Sequence, residues 1–149
     1  MATSLKSKLF AQASVFAPLQ ALLGTNPFGW YDSQLDPNAL ATGKAAVVVT
    51  QVSRRPLYVN LGQLPTDWTR MQFTIFGAVP DPNAGADSES CAQVAGALSQ
   101  FMPAFNATGL PGPAPYAQMV SDHDMGLAET QPRTFTRVID YMVFANNDV

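Results

Sequence analysis

The run Arg70-Met71-Gln72-Phe73-Thr74-Ile75 constrains this chain more than any other stretch, because its polar and apolar residues alternate without interruption. Successive side chains of an extended strand point to opposite faces, so Met71, Phe73 and Ile75 share one face and Arg70, Gln72 and Thr74 the other. A helix would scatter the same residues around its circumference. The run therefore predicts a strand with one face on a core and one face toward water or a partner. The later run 136–145, Thr-Arg-Val-Ile-Asp-Tyr-Met-Val-Phe-Ala, is apolar at positions of both parities. That pattern predicts a strand covered on both sides. Neither run carries a reactive group, so the strongest signals in the chain describe a scaffold.

A chain of 149 residues has the size of one domain and can bury its own core. Only 13% of its residues are charged, against about 25% in an ordinary soluble domain. Much of the surface is then neutral, apolar or covered by something else. Two readings remain open: an obligate oligomer, whose interfaces resemble a core cut in half, and a monomer surfaced with Ser, Thr, Asn, Gln, Pro and Gly.

The net charge of −3 argues against a duplex nucleic-acid binder, whose affinity rests on clustered Lys and Arg. Arg54-Arg55 is the one adjacent basic pair. Cys91 is the sole cysteine, which excludes an intrachain disulfide and gives no sign of an oxidising compartment. No apolar run approaches the ~20 residues that span a bilayer, and no signal peptide is evident. The expectation is an intracellular protein without a membrane partner.

Along the chain, residues 4–14 read as a helix with Leu5, Leu9 and Ala13 on one stripe, capped by Thr3 or Ser4. Pro18 suits the first turn of a second short helix carrying Leu19, Leu22 and Leu23, and Gly24 is placed to end it in the left-handed conformation. Residues 25–44 read as loop, dense in Asn-Pro, Phe-Gly and Asp-Pro turn signals. The loop aromatics Phe28, Trp30 and Tyr31 either fold back as a lid on the core or meet another subunit.

Residues 45–52 predict a first strand, and 54–67 a connection with Leu57-Tyr58-Val59 as a short arm. The alternating strand follows at 68–77. A helix is expected from 87 or 88 to 102, with Cys91, Val94, Leu98 and Phe101 on its apolar stripe and Pro103 as its stop. A short strand near 116–120, a polar and flexible stretch at 122–132 and a long last strand at 135–145 complete the order. Strands and helices do not alternate regularly, so the expected fold is α+β. It is a single domain over 1–149, with a mainly antiparallel sheet and helices packed on one face.

The search for chemistry is brief. Gly43-Lys44 lacks both the leading glycine and the following Ser or Thr of a phosphate loop, with Asn38 and Ala45 in those places. His123 stands between Asp122 and Asp124, but adjacent residues of an extended chain point apart and no second His or Cys cluster completes a metal shell. Cys91 lies on the apolar side of a helix, where a thiol serves as a small hydrophobe. No catalytic residue, cofactor site or metal site is expected. The candidate residues are instead those of a subunit interface: Trp30, Tyr31, Arg54, Arg55, Tyr58 and Arg70.

The order and texture of these elements resemble the siphophage tail terminator family, also called tail-completion or neck-to-tail joining proteins. The matching pieces are Leu19-Gln20-Ala21-Leu22-Leu23-Gly24, the strand 46–53, the strand 70–77, the helix 91–102 and the closing strand 137–144. The resemblance rests on element order across nearly the whole chain, and the Gly/Pro-rich stretch 107–115 has no counterpart in it.

It implies a homo-oligomeric ring, a hexamer in that family, at the head-proximal end of the tail tube. Such a ring stops tube polymerisation and meets a head-side connector or stopper protein. DNA passes through the lumen without sequence-specific binding. The implied location is the neck region of the virion, reached by assembly in the host cytoplasm. A head-completion adaptor or minor tail protein is the alternative within structural proteins. A small enzyme using Cys91 or His123 is the alternative outside that class.

Overall fold

In the computed structural model the alternating run lies at the centre of a sheet. The structure describes residues 5–25, 28–36, 39, 43–59, 62–78, 89–105, 117–128 and 134–146; for 54–59, 62–68, 104, 127–128 and 144–146 it describes backbone alone. The elements are α1 (Leu5–Ala13), α2 (Ala17–Leu23), β1 (Trp30–Asp32), β2 (Ala46–Val59), β3 (Gly62–Phe76), α3 (Glu89–Ala104), β4 (Ala117–Ala128) and β5 (Thr134–Asn146). The five strands form one sheet in the order β1-β2-β3-β5-β4. Among the described residues only the β1–β2 pair is parallel; the other neighbours are antiparallel. The chain is thus α+β with a mostly antiparallel sheet, as its sequence predicts.

Phe73 sits between Val49 and Ile139 in register, and Met71 stands opposite Tyr141. Residues opposite one another in a ladder share a face. These side chains are therefore gathered under the helices, where all of them are buried. The helices answer with Leu5, Leu9 and Ala13 from α1, Leu19 and Leu23 from α2, and Val94, Leu98 and Phe101 from α3. The spacing of the α1 residues, one helical turn apart, is why one face of that helix joins the core.

Several local expectations are corrected. Gly24 ends α2 with φ 87° and ψ 168°, positive in φ but extended in ψ, so it is not the left-handed helical cap expected; its N–H still closes on Gln20 O at 2.9 Å. Pro103 sits inside the last turn of α3, which runs to Ala104. The caps proposed at Thr3 and Ser4, the helix start expected at 87 or 88, and the stretch 107–115 lie outside the described residues.

Within the region read as loop, Trp30–Asp32 forms a strand parallel to Val47–Val49. No periodicity could announce three residues whose conformation is set by pairing with β2. The approach is tight at Gly29, where a Cβ would come within 2.8 Å of Ala45 O and 2.9 Å of Leu23 O. Only glycine fits there without moving backbone.

The connection expected at 54–67 is instead strand. β2 continues to Val59 and β3 starts at Gly62, a long hairpin. Proline is tolerated at a sheet edge, where no neighbour needs its N–H. Past Val49, no described strand lies on the outer side of β2, and Pro56 falls beside a shift of register.

The polar stretch at 122–132 is likewise corrected: β4 is one strand from Ala117 to Ala128. Extra residues at Val120 and Met125 break its pairing with β5 and so erase the period-two signal.

The last strand is not covered on both sides. Ile139, Tyr141 and Val143 are buried under the helices, while Val138 and Met142 on the opposite face stay half-exposed. Only one end of that second face is covered among the described residues, where Leu35 and Ala39 fold over Ala46 beside Tyr31 and Phe76.

Candidate subunit interface

The second face of the sheet is built by the parity of β3 and β5. β3 contributes Arg70, Gln72 and Thr74; β5 contributes Val138, Asp140 and Met142. Arg70 Nε donates to Asp140 Oδ2 at 3.0 Å, and Nη2 donates to the same oxygen. The pair is uneven, with 38% of the Arg70 side chain exposed and 10% of Asp140. Both guanidinium donors fall on one oxygen, which leaves Asp140 Oδ1 buried without a hydrogen bond, as is Thr136 Oγ1. A buried acceptor without a donor costs about 1–3 kcal/mol.

Removing the arginine should expose the imbalance. Arg70→Ala is expected to lose about 1–3 kcal/mol in urea unfolding, because it leaves a desolvated carboxylate without its countercharge. The double variant with Asp140→Ala should recover part of that loss. Strict additivity of the two single changes would mean that the pair contributes no coupling.

The structure separates the six residues singled out from the sequence. Trp30 is 7% exposed and belongs to the core. Its ring stacks on Phe28 at 6.1 Å and meets Phe73 edge-on at 5.7 Å and Phe101 at 6.4 Å. Of the two readings of the loop aromatics, the lid on the core describes Phe28 and Trp30. Trp30 is therefore not available as an interface anchor, since β1 points its ring under the helices.

Tyr31, the next residue in β1, turns to the opposite face. Burial, helped by nearby Asp36, pushes its phenol above the usual value. Arg54, Arg55 and Tyr58 lie along the outer half of β2, where the structure describes backbone alone. Arg70 lies one strand inward, in register with Ser53. Sequence reasoning missed Asp140, whose signal is a single acid in an otherwise apolar strand. It found β4 only in part: Met119 and Val120 lie in the short strand expected near 116–120, while exposed Met125 falls in the stretch read as polar and flexible.

The residues weighed for chemistry have structural surroundings. Cys91 is buried and its thiol points at Phe135 O, 3.4 Å away. His123 is exposed on β4, in register with Val138. Asp122 accepts from Arg137 Nε and Nη2, both at 2.7 Å, tying β4 to β5. That hydrogen-bonded guanidinium holds the Asp122 carboxyl below its usual range, and the carboxylate in turn raises Arg137.

Lys6 makes a similar clamp from α1 to β1, reaching Asp32 at 2.6 Å and lowering its carboxyl. A cavity of about 270 Å³ opens beside this clamp, lined by Phe10, Trp30 and Val49 as well as the ion pair. Among the described residues there is no group of three or more His, Cys, Asp or Glu placed to hold a metal ion, and no helix long and apolar enough to cross a membrane.

The lowered Asp122 carboxyl gives a pH signature. Stability from this pair is fully present above the unfolded carboxylate value of 3.8 and is lost as pH falls through the lower folded value. The pair is partly solvated, so the effect should be under ~1 kcal/mol. Asp122→Asn is expected to flatten the acid limb of a melting-temperature profile between neutral pH and pH ~2. An unchanged limb would remove the pair as a source of acid sensitivity.

Compared with known proteins, the chain matches no protein-family model and no curated protein.

Proposed function

We propose that this chain is a structural subunit of a phage particle, a tail terminator that forms a ring at the head-proximal end of the tail tube. What supports the reading is a sheet that, among the described residues, is covered by helices on one face. The other face carries the polar row Arg70, Gln72 and Thr74 beside half-exposed Val138 and Met142. The α+β order of elements behind the sequence resemblance supports it as well.

The work of such a subunit is occlusion. A closed ring presents identical surfaces on each side, so one side can match the tube end and the other the head-side connector. Seated on the tube end, the ring covers the surface on which the next tube ring would dock, and elongation stops. The low charge content suits a lumen through which DNA must slide without being held.

The test is deletion of the gene in a phage that carries it, followed by electron microscopy of the lysate. The expected result is DNA-filled heads together with tails of uncontrolled length or tails that never join heads. His123→Ala should not reproduce that defect. Normal-length tails attached to heads in the absence of the protein would end this reading. Co-purification with portal in place of tail-tube protein would move the protein to the head-completion adaptors.

A further inference from the structure

We propose that copies of this chain join head to tail by pairing the outer edge of β4 in one subunit with the outer edge of β2 in the next, antiparallel, so that the sheet continues around the ring. This rests on the ring reading above and adds the surface by which the ring closes.

The sheet has two edges, and both present long stretches of strand. Among the described residues β4 is paired on one side, with β5. On the far side of the sheet β1 covers β2 only at Val47–Val49, and among the described residues nothing pairs the outer side of β2 from there to Val59. Unpaired strand edges invite another strand, and a fold that leaves two of them tends to cover or blunt them. Edges at opposite ends of one sheet make a heterologous contact, the kind that generates rings when the rotation closes.

Direction, charge and shape all favour the match. With strands alternating across β2, β3, β5 and β4, the two outer strands run in opposite directions, so cyclic repetition sets β4 antiparallel to the next β2. Apposing the strands centre to centre brings Asp122-His123-Asp124 against Arg54-Arg55. Asp124 is exposed, and its register with Arg137 puts it on the helix-side face. Arg54 is in register with Thr69, on that same face, and residues facing one another across a ladder must share a face.

The same apposition sets Met119 and Val120 toward Leu57-Tyr58-Val59, and Met125 toward Val52. Val120 is 47% exposed, Met125 63% and Val52 48%, more than such side chains need be in a finished surface. Each edge also breaks register at the same interval, β4 at 120 and 125 and β2 at 52 and 57, so the two strands bend in step. Pro56 removes one possible rung from the ladder and leaves the rest.

The experiment is a disulfide trap across the proposed edge in a Cys91→Ala background. Directly paired antiparallel residues have Cα atoms about 4.5–5.5 Å apart, within the span of a disulfide. A chain carrying both His123→Cys and Arg55→Cys should, on mild oxidation, give a covalent ladder up to the full ring on a non-reducing gel. Neither single variant should give more than monomer. A parallel charge swap checks the same contact without oxidation. Asp124→Arg and Arg54→Asp, each with an unchanged circular dichroism melt, should shift the sedimenting mass toward monomer, and the double variant should restore it.

A ring in the unmodified protein with no ladder from the double cysteine chain and no effect of the charge changes would overturn the edge pairing and leave the ring standing. Dimers from His123→Cys alone would overturn it in favour of β4 pairing with its own copy. An unmodified protein that sediments as a monomer at all concentrations would overturn the ring and the edge together.

Discussion

Trp30→Ala is expected to destabilise the folded subunit by about 3–5 kcal/mol, as a buried aromatic truncated in a packed core does. The indole is enclosed by Phe28, Phe73 and Phe101, which belong to the loop before β1, to β3 and to α3. Its removal leaves a cavity that no single neighbour can fill, because each ring is held by a different element. At roughly 2–4 °C per kcal/mol for a domain of this size, the melting temperature should fall by about 6–20 °C. Thermal unfolding of the dilute protein checks it. A variant that melts normally but fails to assemble would return Trp30 to the interface.

Leu98→Ala should cost about 2–5 kcal/mol. Leu98 is wholly buried on the face of α3 that lies on the sheet, with Val94 and Phe101 one turn to either side. The exposed positions Ala92, Gln93, Ser99 and Gln100 of the same helix offer the control. Gln93→Ala should leave the urea midpoint within the ~0.5 kcal/mol typical of surface changes. If Leu98→Ala and Gln93→Ala were equally harmless, α3 would not be packed by this face. The two predictions probe opposite sides of one core, since Trp30 approaches it from the sheet edge and Leu98 from the helix layer.

The candidate interface was only partly legible. Arg54 and Arg55 stand out in a charge-poor sequence, and both fall on the outer half of β2, along an edge. Arg70 stands out by alternation and does lie on the polar side of β3. Trp30 stood out for the wrong reason: its turn-rich surroundings suggest surface, but one short parallel pairing with β2 carries it under the helices. Asp140 and the β4 edge gave no local signal. The meaning of Asp140 depends on Arg70, seventy positions away in sequence, and the meaning of Met119 and Met125 on there being no strand beyond them among the described residues.

By itself the sequence determined what depends on local periodicity and on backbone chemistry. The two-residue alternation of β3, the four-residue stripe of α1 and the apolar face of α3 each select one secondary structure, because any other period would bury polar groups or expose apolar ones. Proline in the first turn of α2 follows from its fixed φ.

Only the tertiary structure decided the rest. Three residues at β1 become a strand because β2 offers them hydrogen bonds. Twelve residues at β4 become a strand because β5 does the same for them. β5 turns out half-covered although its sequence would suit a fully buried strand, because the helices are too few to cover both faces among the described residues. A strand's pairing partner and the layer above it are properties of distant chain, and no window of neighbouring residues contains them.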